Sequence, residues 1–139
     1  MRLRDKVALI SGAASGMGAA TAKLFASEGA IVFVTDLDES TGLEVVEEIN
    51  AAGHSAHFIK LDVSRDDDWR AAVSEVMDTY GRIDVLVNNA GISGSHPDQM
   101  NTATWDEQMN VYAKGVFLGM QTVVPVMRKA NAGSIVNVS

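Results

Sequence analysis

The chain has 139 residues, 47% of them apolar and 21% charged, a balance that suits one packed domain and argues against disorder. Eleven Lys and Arg against eighteen Asp and Glu leave a formal net charge of −7. Nucleic acid and anionic membrane are therefore poor partners, since both call for a basic surface. Cysteine is absent, which excludes a disulfide framework and thiolate metal sites. The apolar run at 7–10 is too short for a signal peptide, and nothing approaches the roughly 20 apolar residues of a membrane span. The expectation is a cytoplasmic domain over residues 1–139, without repeats or low-complexity tracts.

Taken in order, the chain alternates β-rich runs with helical periods, the pattern of βαβ units around a parallel sheet. Residues 6–11 form a nearly continuous apolar run, as expected of a strand covered on both faces. Glycines at 12, 16 and 18 follow. Met17, Thr21, Leu24 and Phe25 then predict the stripe of an amphipathic helix ending near Gly29. Residues 31–35 read as a second buried strand closed by Asp36. Leu43, Val46 and Ile49 mark a second helix, and residues 57–61 a weaker third strand. Trp69, Val73, Val76 and Tyr80 stripe a third helix stopped by Gly81. Residues 83–87 read as a fourth strand, followed by a loop rich in Asn, Gly and Ser. A long helix is expected over 105–129, with Met109, Tyr112, Val116, Met120, Val123 and Met127 on one face. Val111, Leu118 and Val126 add apolar groups on other faces, which points to contact with another subunit. Residues 134–138 read as a fifth strand, one residue before the chain stops.

The segment Gly12-Ala13-Ala14-Ser15-Gly16-Met17-Gly18 joins a buried strand to a helix. Glycine permits positive φ and close backbone approach, and a helix N-terminus offers free N–H groups to a pyrophosphate. A tight structural turn would use the same glycines. Asp36 ends the second strand, where a doubly wound sheet places the adenosine ribose; a carboxylate there accepts from both hydroxyls and repels a 2′-phosphate. The plainer role is a turn residue or helix cap. No Lys or Arg lies at 11–17 or 37–41, so a 2′-phosphate has no visible anchor. Asp62 suits either an adenine amino group or a cap for the helix starting near Ser64. Asn88 and Asn89 suit either a ligand-side turn or a staple between strands. His54, His57 and His96 lack metal-ligand spacing and read as surface or loop residues. Asp66, Asp67 and Asp68 are explained by the dipole of the helix they begin, with no metal. Pro125 predicts a kink.

Gly12-x3-Gly16-x-Gly18, Asp36, Asp62-Val63, Asn88-Asn89-Ala90-Gly91, Gly115-Val116-Phe117 and Gly133-Ser134-Ile135-Val136-Asn137-Val138-Ser139 stand in order over the whole chain. This set resembles the short-chain dehydrogenase/reductase family. The resemblance implies an α/β Rossmann-like doubly wound parallel sheet, here with five strands in the order 3-2-1-4-5 and incomplete at the C-terminus. It implies hydride transfer between a nicotinamide cofactor, read here as NAD, and a secondary alcohol or ketone. It also implies a homo-oligomer, dimer or tetramer, packed through the helix at 105–129. Carried over, Gly12, Ser15, Gly16, Met17 and Gly18 would cradle the pyrophosphate. Asp36 and Leu37 would hold the adenosine ribose, and Asp62 and Val63 would flank adenine. Asn89, Ala90 and Gly91, with Val111 nearby, would line the nicotinamide-side ribose.

The catalytic half of the resemblance is missing. The family's Tyr-x3-Lys has no counterpart, because Asp84 and Val116 stand four residues after Tyr80 and Tyr112. Both tyrosines read as packing. Ser139 aligns with the neighbour of the family's catalytic Ser or with that Ser itself. Tyr112 occupies a usual Asn position in the long helix, and Asn110, two residues away, faces elsewhere. The expectation is therefore the cofactor-binding part of an oxidoreductase, truncated before its Tyr-x3-Lys half, binding NAD without turnover. The alternatives are a short or degenerate nucleotide-binding module with a non-catalytic role and, less favoured, an S-adenosylmethionine-dependent methyltransferase.

Overall fold

The computed structural model describes residues 1–92 and 100–139, so His96 and Pro97 lie outside the described residues. The predicted alternation is what forms. β1 (Val7–Ser11), α1 (Gly16–Ser27), β2 (Ile31–Asp36), α2 (Glu39–Ala51), β3 (Ser55–Lys60), α3 (Asp66–Tyr80) and β4 (Val85–Asn88) follow one another. Next come α4 (Thr102–Met109), a π-helical turn over Asn110–Lys114, α5 (Gly115–Ala130) and β5 (Ser134–Asn137). The five strands form one sheet in the order β3-β2-β1-β4-β5, every pairing parallel. This is a Rossmann-like α/β fold.

Register follows from burial on both faces. Leu9 pairs with Phe33 and with Leu86, and all three side chains enter one layer with Trp69, Val76, Leu118, Val123 and Met127. Alternate residues Ala8, Ile10, Val32 and Val34 face the opposite layer, against Ala22, Ala26, Val45 and Ile49. A slip of one residue would exchange the layers, so the hydrophobic pattern itself fixes the pairing.

The helix faces differ from those expected. α1 buries Gly18, Ala19, Ala22 and Ala26, while Met17 and Leu24 are 65% and 53% exposed. Small residues let the helix approach the sheet closely; the larger apolar side chains cannot fit beneath it and point outward. α2 likewise buries Gly42, Val45 and Ile49 rather than Leu43, because a Cβ on Gly42 would stand 2.2 Å from the Phe58 ring. α3 buries Trp69, Ala72, Val73 and Val76 as its spacing predicts, and the indole Nε1 donates to the Val63 carbonyl at 2.9 Å.

The long helix is the main departure. It starts earlier, at Thr102, and the π turn resets its face. Beyond that turn the buried positions are Gly115, Leu118, Gly119, Val123 and Met127, while Met109, Tyr112 and Phe117 stay largely exposed. A strict 3.6-residue period cannot follow a segment containing an extra residue. α5 continues through Pro125 to Ala130. His57 belongs to β3 rather than to a loop: its ring stacks on Phe33 at 5.0 Å and shares a 2.8 Å hydrogen bond with the Tyr80 hydroxyl. Tyr80 thus packs as expected. No helix among the described residues is long and apolar enough to cross a membrane.

Candidate functional site

In a parallel sheet the strand ends all emerge on one side, and the loops that leave them converge there. β1 ends at Ser11, and Gly12 turns the chain with φ +63°. That conformation favours glycine, and the space requires it: a Cβ on Gly12 would lie 2.6 Å from the Ala90 Cα. A Cβ on Gly18 would lie 2.1 Å from the Gly12 carbonyl oxygen and 2.5 Å from Asn89 Nδ2. The turn and the first helical turn are therefore seated directly against the end of β4.

Side-chain bonds hold that seat. The Asn89 amide donates to the carbonyls of Ser11 and Gly12 at 3.2 and 3.1 Å. The Ser11 hydroxyl accepts from the backbone N–H groups of Asn89 and Ala90, both at 3.1 Å. Of the two roles open to the asparagines, the staple is the one seen: Asn89 ties β4 to β1, and Asn88 Nδ2 donates to Asn137 Oδ1 on β5 at 2.9 Å. Ser11 escaped the sequence reading, although a small hydroxyl residue between an apolar strand and a glycine turn is the available signal.

α1 begins with Ser15 as its cap residue in extended conformation, its side chain making no capping bond. The first turn contains no acidic residue. The N–H groups of Gly16, Met17 and Gly18 precede the first helical bond, so their positive end faces outward unneutralised. Gly16 also holds positive φ, +54°, with nothing within 4 Å of the place of a Cβ.

Beside this turn opens a cleft of about 100 Å³, lined by Gly12, Asp36, Leu37, Leu61, Asp62, Val63, Ala90, Gly91, Ile92 and Val111. Asp36, Leu37, Asp62, Val63, Ala90, Gly91 and Val111 thus line one compartment. Leu61 and Ile92 complete the lining and were not foreseen; each is the first or fourth residue past its strand and reads only as generic apolar sequence. Asp36 Oδ2 accepts from the Ala14 N–H and Oδ1 from the Asp38 N–H, both at 3.1 Å. Asp62 Oδ1 accepts from the backbone and hydroxyl of Ser64 at 2.9 and 2.6 Å. It closes a short turn ahead of α3, whose cap position is Arg65 and whose first turn holds Asp66, Asp67 and Asp68. Among the described residues no Lys or Arg lines the cleft. Ser139 lies exposed beyond β5, outside the lining, and Tyr112 meets the cleft wall at Gly91 and Ile92. Among the described residues no cluster of three or more His, Asp or Glu could hold a metal.

The group these features fit carries a diphosphate and a nucleoside. The glycine turn leaves room for backbone approach, the helix end supplies donors, and the apolar cleft with two carboxylates suits a base and a sugar.

Comparisons with known proteins agree with this fold. Residues 6–139 match the family model described as short chain dehydrogenase. A cyclopentanol dehydrogenase of Comamonas sp. is 43% identical over 139 residues, covering 99% of this chain and 56% of that protein. A 3-oxoacyl-[acyl-carrier-protein] reductase of Thermotoga maritima is 46% identical over 140 residues, covering 100% of this chain and 57% of that protein. Among solved structures, a metagenomic short-chain oxidoreductase in complex with NADP superposes with a TM-score of 0.92 at 38% identity, over 100% of this chain and 64% of that one. The chain spans about half the length of the curated relatives it matches.

Proposed function

Because the chain belongs to the short-chain dehydrogenase family, we propose that it forms the NAD-binding part of an oxidoreductase acting on a secondary alcohol or ketone. The observation that carries the cofactor choice is Asp36: it lines a cleft that contains no Lys or Arg among the described residues. A carboxylate at a strand end accepts hydrogen bonds from the 2′- and 3′-hydroxyls of an unphosphorylated ribose and repels a 2′-phosphate. The NADP-bound relative marks the competing choice, and the affinity ratio of the two cofactors decides between them.

In this reading Gly12, Ser15, Gly16, Met17 and Gly18 hold the pyrophosphate, with the N–H groups at the start of α1 turned toward its charge. Asp36 and Leu37 hold the adenosine ribose. Asp62 and Val63 flank the adenine, and Asn89, Ala90 and Gly91, with Val111 nearby, line the nicotinamide-side ribose, Asn89 also holding the glycine turn through its amide. The nicotinamide supplies or accepts the hydride when the cofactor is bound. The secondary alcohol or ketone is proposed from the names of relatives such as the cyclopentanol dehydrogenase. The 139 residues contain no Tyr-x3-Lys to deliver or remove the hydroxyl proton, so they bind cofactor without turning substrate over. We also assign the exposed apolar side of the long helical rod to a contact between copies.

Calorimetric titration tests the proposal. NADH is expected to bind at least tenfold more tightly than NADPH. Asp36→Ala should weaken NADH by roughly tenfold or more, since hydrogen bonds to a charged group contribute about 1.5–3 kcal/mol. No heat with NADH, or an Asp36→Ala variant of unchanged affinity, would overturn it.

A further inference from the structure

Tyr112 sits in the π turn and is 47% exposed, yet its hydroxyl is fully engaged. It donates to the Ile92 carbonyl at 2.9 Å and accepts from the Ile92 N–H at 3.0 Å. One phenol thus occupies both polar groups of a single residue, twenty positions earlier in the chain. Its oxygen also lies 2.8 Å from where a Cβ on Gly91 would stand, so residue 91 has no room for a side chain. Gly91 and Ile92 both line the cleft, as does Val111, the immediate neighbour of Tyr112. The loop leaving β4 and the π turn therefore meet as one wall, and the Tyr112 hydroxyl is the polar contact that joins its two halves.

The π turn explains how two adjacent residues do this. An added residue in a helical turn widens it and changes the directions of neighbouring side chains. Val111 enters the cleft while Tyr112 reaches across to Ile92. Beyond the turn the helix returns to ordinary geometry, with Gly115 against Val63 and Gly119 against Trp69. A polar backbone pair at a loop would otherwise be satisfied by water and free to shift; a side chain that bonds the N–H and the C=O of one residue holds the two peptide units on either side of its Cα in place.

We propose that Tyr112 is a positioning residue of the cofactor cleft, setting its width by clamping the backbone of Ile92 to the π turn. This rests on the reading of the cleft as a dinucleotide site. The phenol touches no cofactor itself. It acts through Gly91 and Ile92, and its single proton is committed to the Ile92 carbonyl.

The test measures NADH binding to the full 139-residue chain by fluorescence titration, well below the melting temperature, together with amide hydrogen exchange at Ile92. Tyr112→Phe keeps the ring and removes both bonds. It is expected to weaken NADH by roughly five- to tenfold, the size of one to two net hydrogen bonds, while the Ile92 amide exchanges faster. A purely structural tyrosine would lower the melting temperature and leave the affinity of the folded protein unchanged. Gly91→Ala, which presses a methyl group against the same oxygen, should weaken NADH as well. In the double variant the losses should sum to less than the two single losses, because the phenol oxygen is gone. The Gly91→Ala arm carries the test if Tyr112→Phe does not fold. A wild-type chain that binds NADH while Tyr112→Phe binds it equally overturns the clamp alone. A wild-type chain that ignores NADH overturns the reading of the cleft, and the clamp with it.

Discussion

Asp36 serves two structures at once. Its carboxylate ties the glycine turn through the Ala14 N–H and starts the next turn through the Asp38 N–H, and the residue also lines the cleft. Replacement by alanine thus loosens the turn as well as removing the ribose acceptor. Asp36→Asn, which keeps one acceptor oxygen and drops the charge, separates those effects. The glycines divide in the same way. Gly18 is required by space, whereas Gly16 is required only by its backbone angle. Gly18→Ala must move the Gly12 carbonyl and the Asn89 amide, a displacement of overpacking type that costs about 1–3 kcal/mol. Gly16→Ala has open room and pays only the left-handed penalty, about 1 kcal/mol. Denaturant unfolding should therefore rank Gly18→Ala below Gly16→Ala in stability, and NADH binding should be lost in the first. The opposite ranking would show that the seat of α1 against β4 is softer than drawn.

At the scale of elements, α1 shows how a helix can be identified correctly and its buried face misread. Its alanines pack and its methionine and leucine do not, because closeness to the sheet, and not side-chain size, decides which face is buried. The end of α1 is fastened to the N-terminus. Glu28 accepts from the Arg2 backbone N–H at 2.8 Å and from its guanidinium at 3.2 Å, with the terminal ammonium at 3.3 Å. These bonds, led by the Arg2 backbone N–H, lower its pKa from 4.5 to about 2. A carboxyl depressed on folding adds stability above its unfolded value and loses it as pH falls through its folded value. The melting temperature of Glu28→Gln should therefore lie below wild type at pH 6, and the gap should narrow from pH 4.5 and close near pH 2. A gap that persists unchanged at pH 2 would refute the assignment. Just before β4 the Asp84 carboxyl follows a similar course: burial pushes it up, but the Arg82 side chain and the Val7 N–H outweigh this and lower it.

For the molecule as a whole, exposed apolar residues are spread over several elements, and the late helical rod carries Trp105, Met109 and Phe117 among them. The proposed contact between copies would cover these three side chains. Sedimentation velocity is expected to show self-association of the chain, and Trp105→Glu combined with Phe117→Glu should shift it to monomer without altering the fold by circular dichroism. A wild-type chain that stays monomeric at high micromolar concentration would refute this. The strands, the glycine turn and the acid at the end of β2 were legible in the amino-acid sequence because each depends on neighbours in the chain: a buried run, a residue able to adopt positive φ, a carboxylate at a strand end; the strand order came only from the family resemblance, since pairing joins residues far apart. What only the tertiary structure decided depends on residues far apart. The Asn89 staple joins β4 to β1, the Tyr112 clamp joins the π turn to the loop after β4, and the face of α1 is chosen by the sheet beneath it. A π turn adds one residue to a helical period with no mark in composition, and so the register of the long helix, and with it the wall of the cleft, came from packing rather than from pattern.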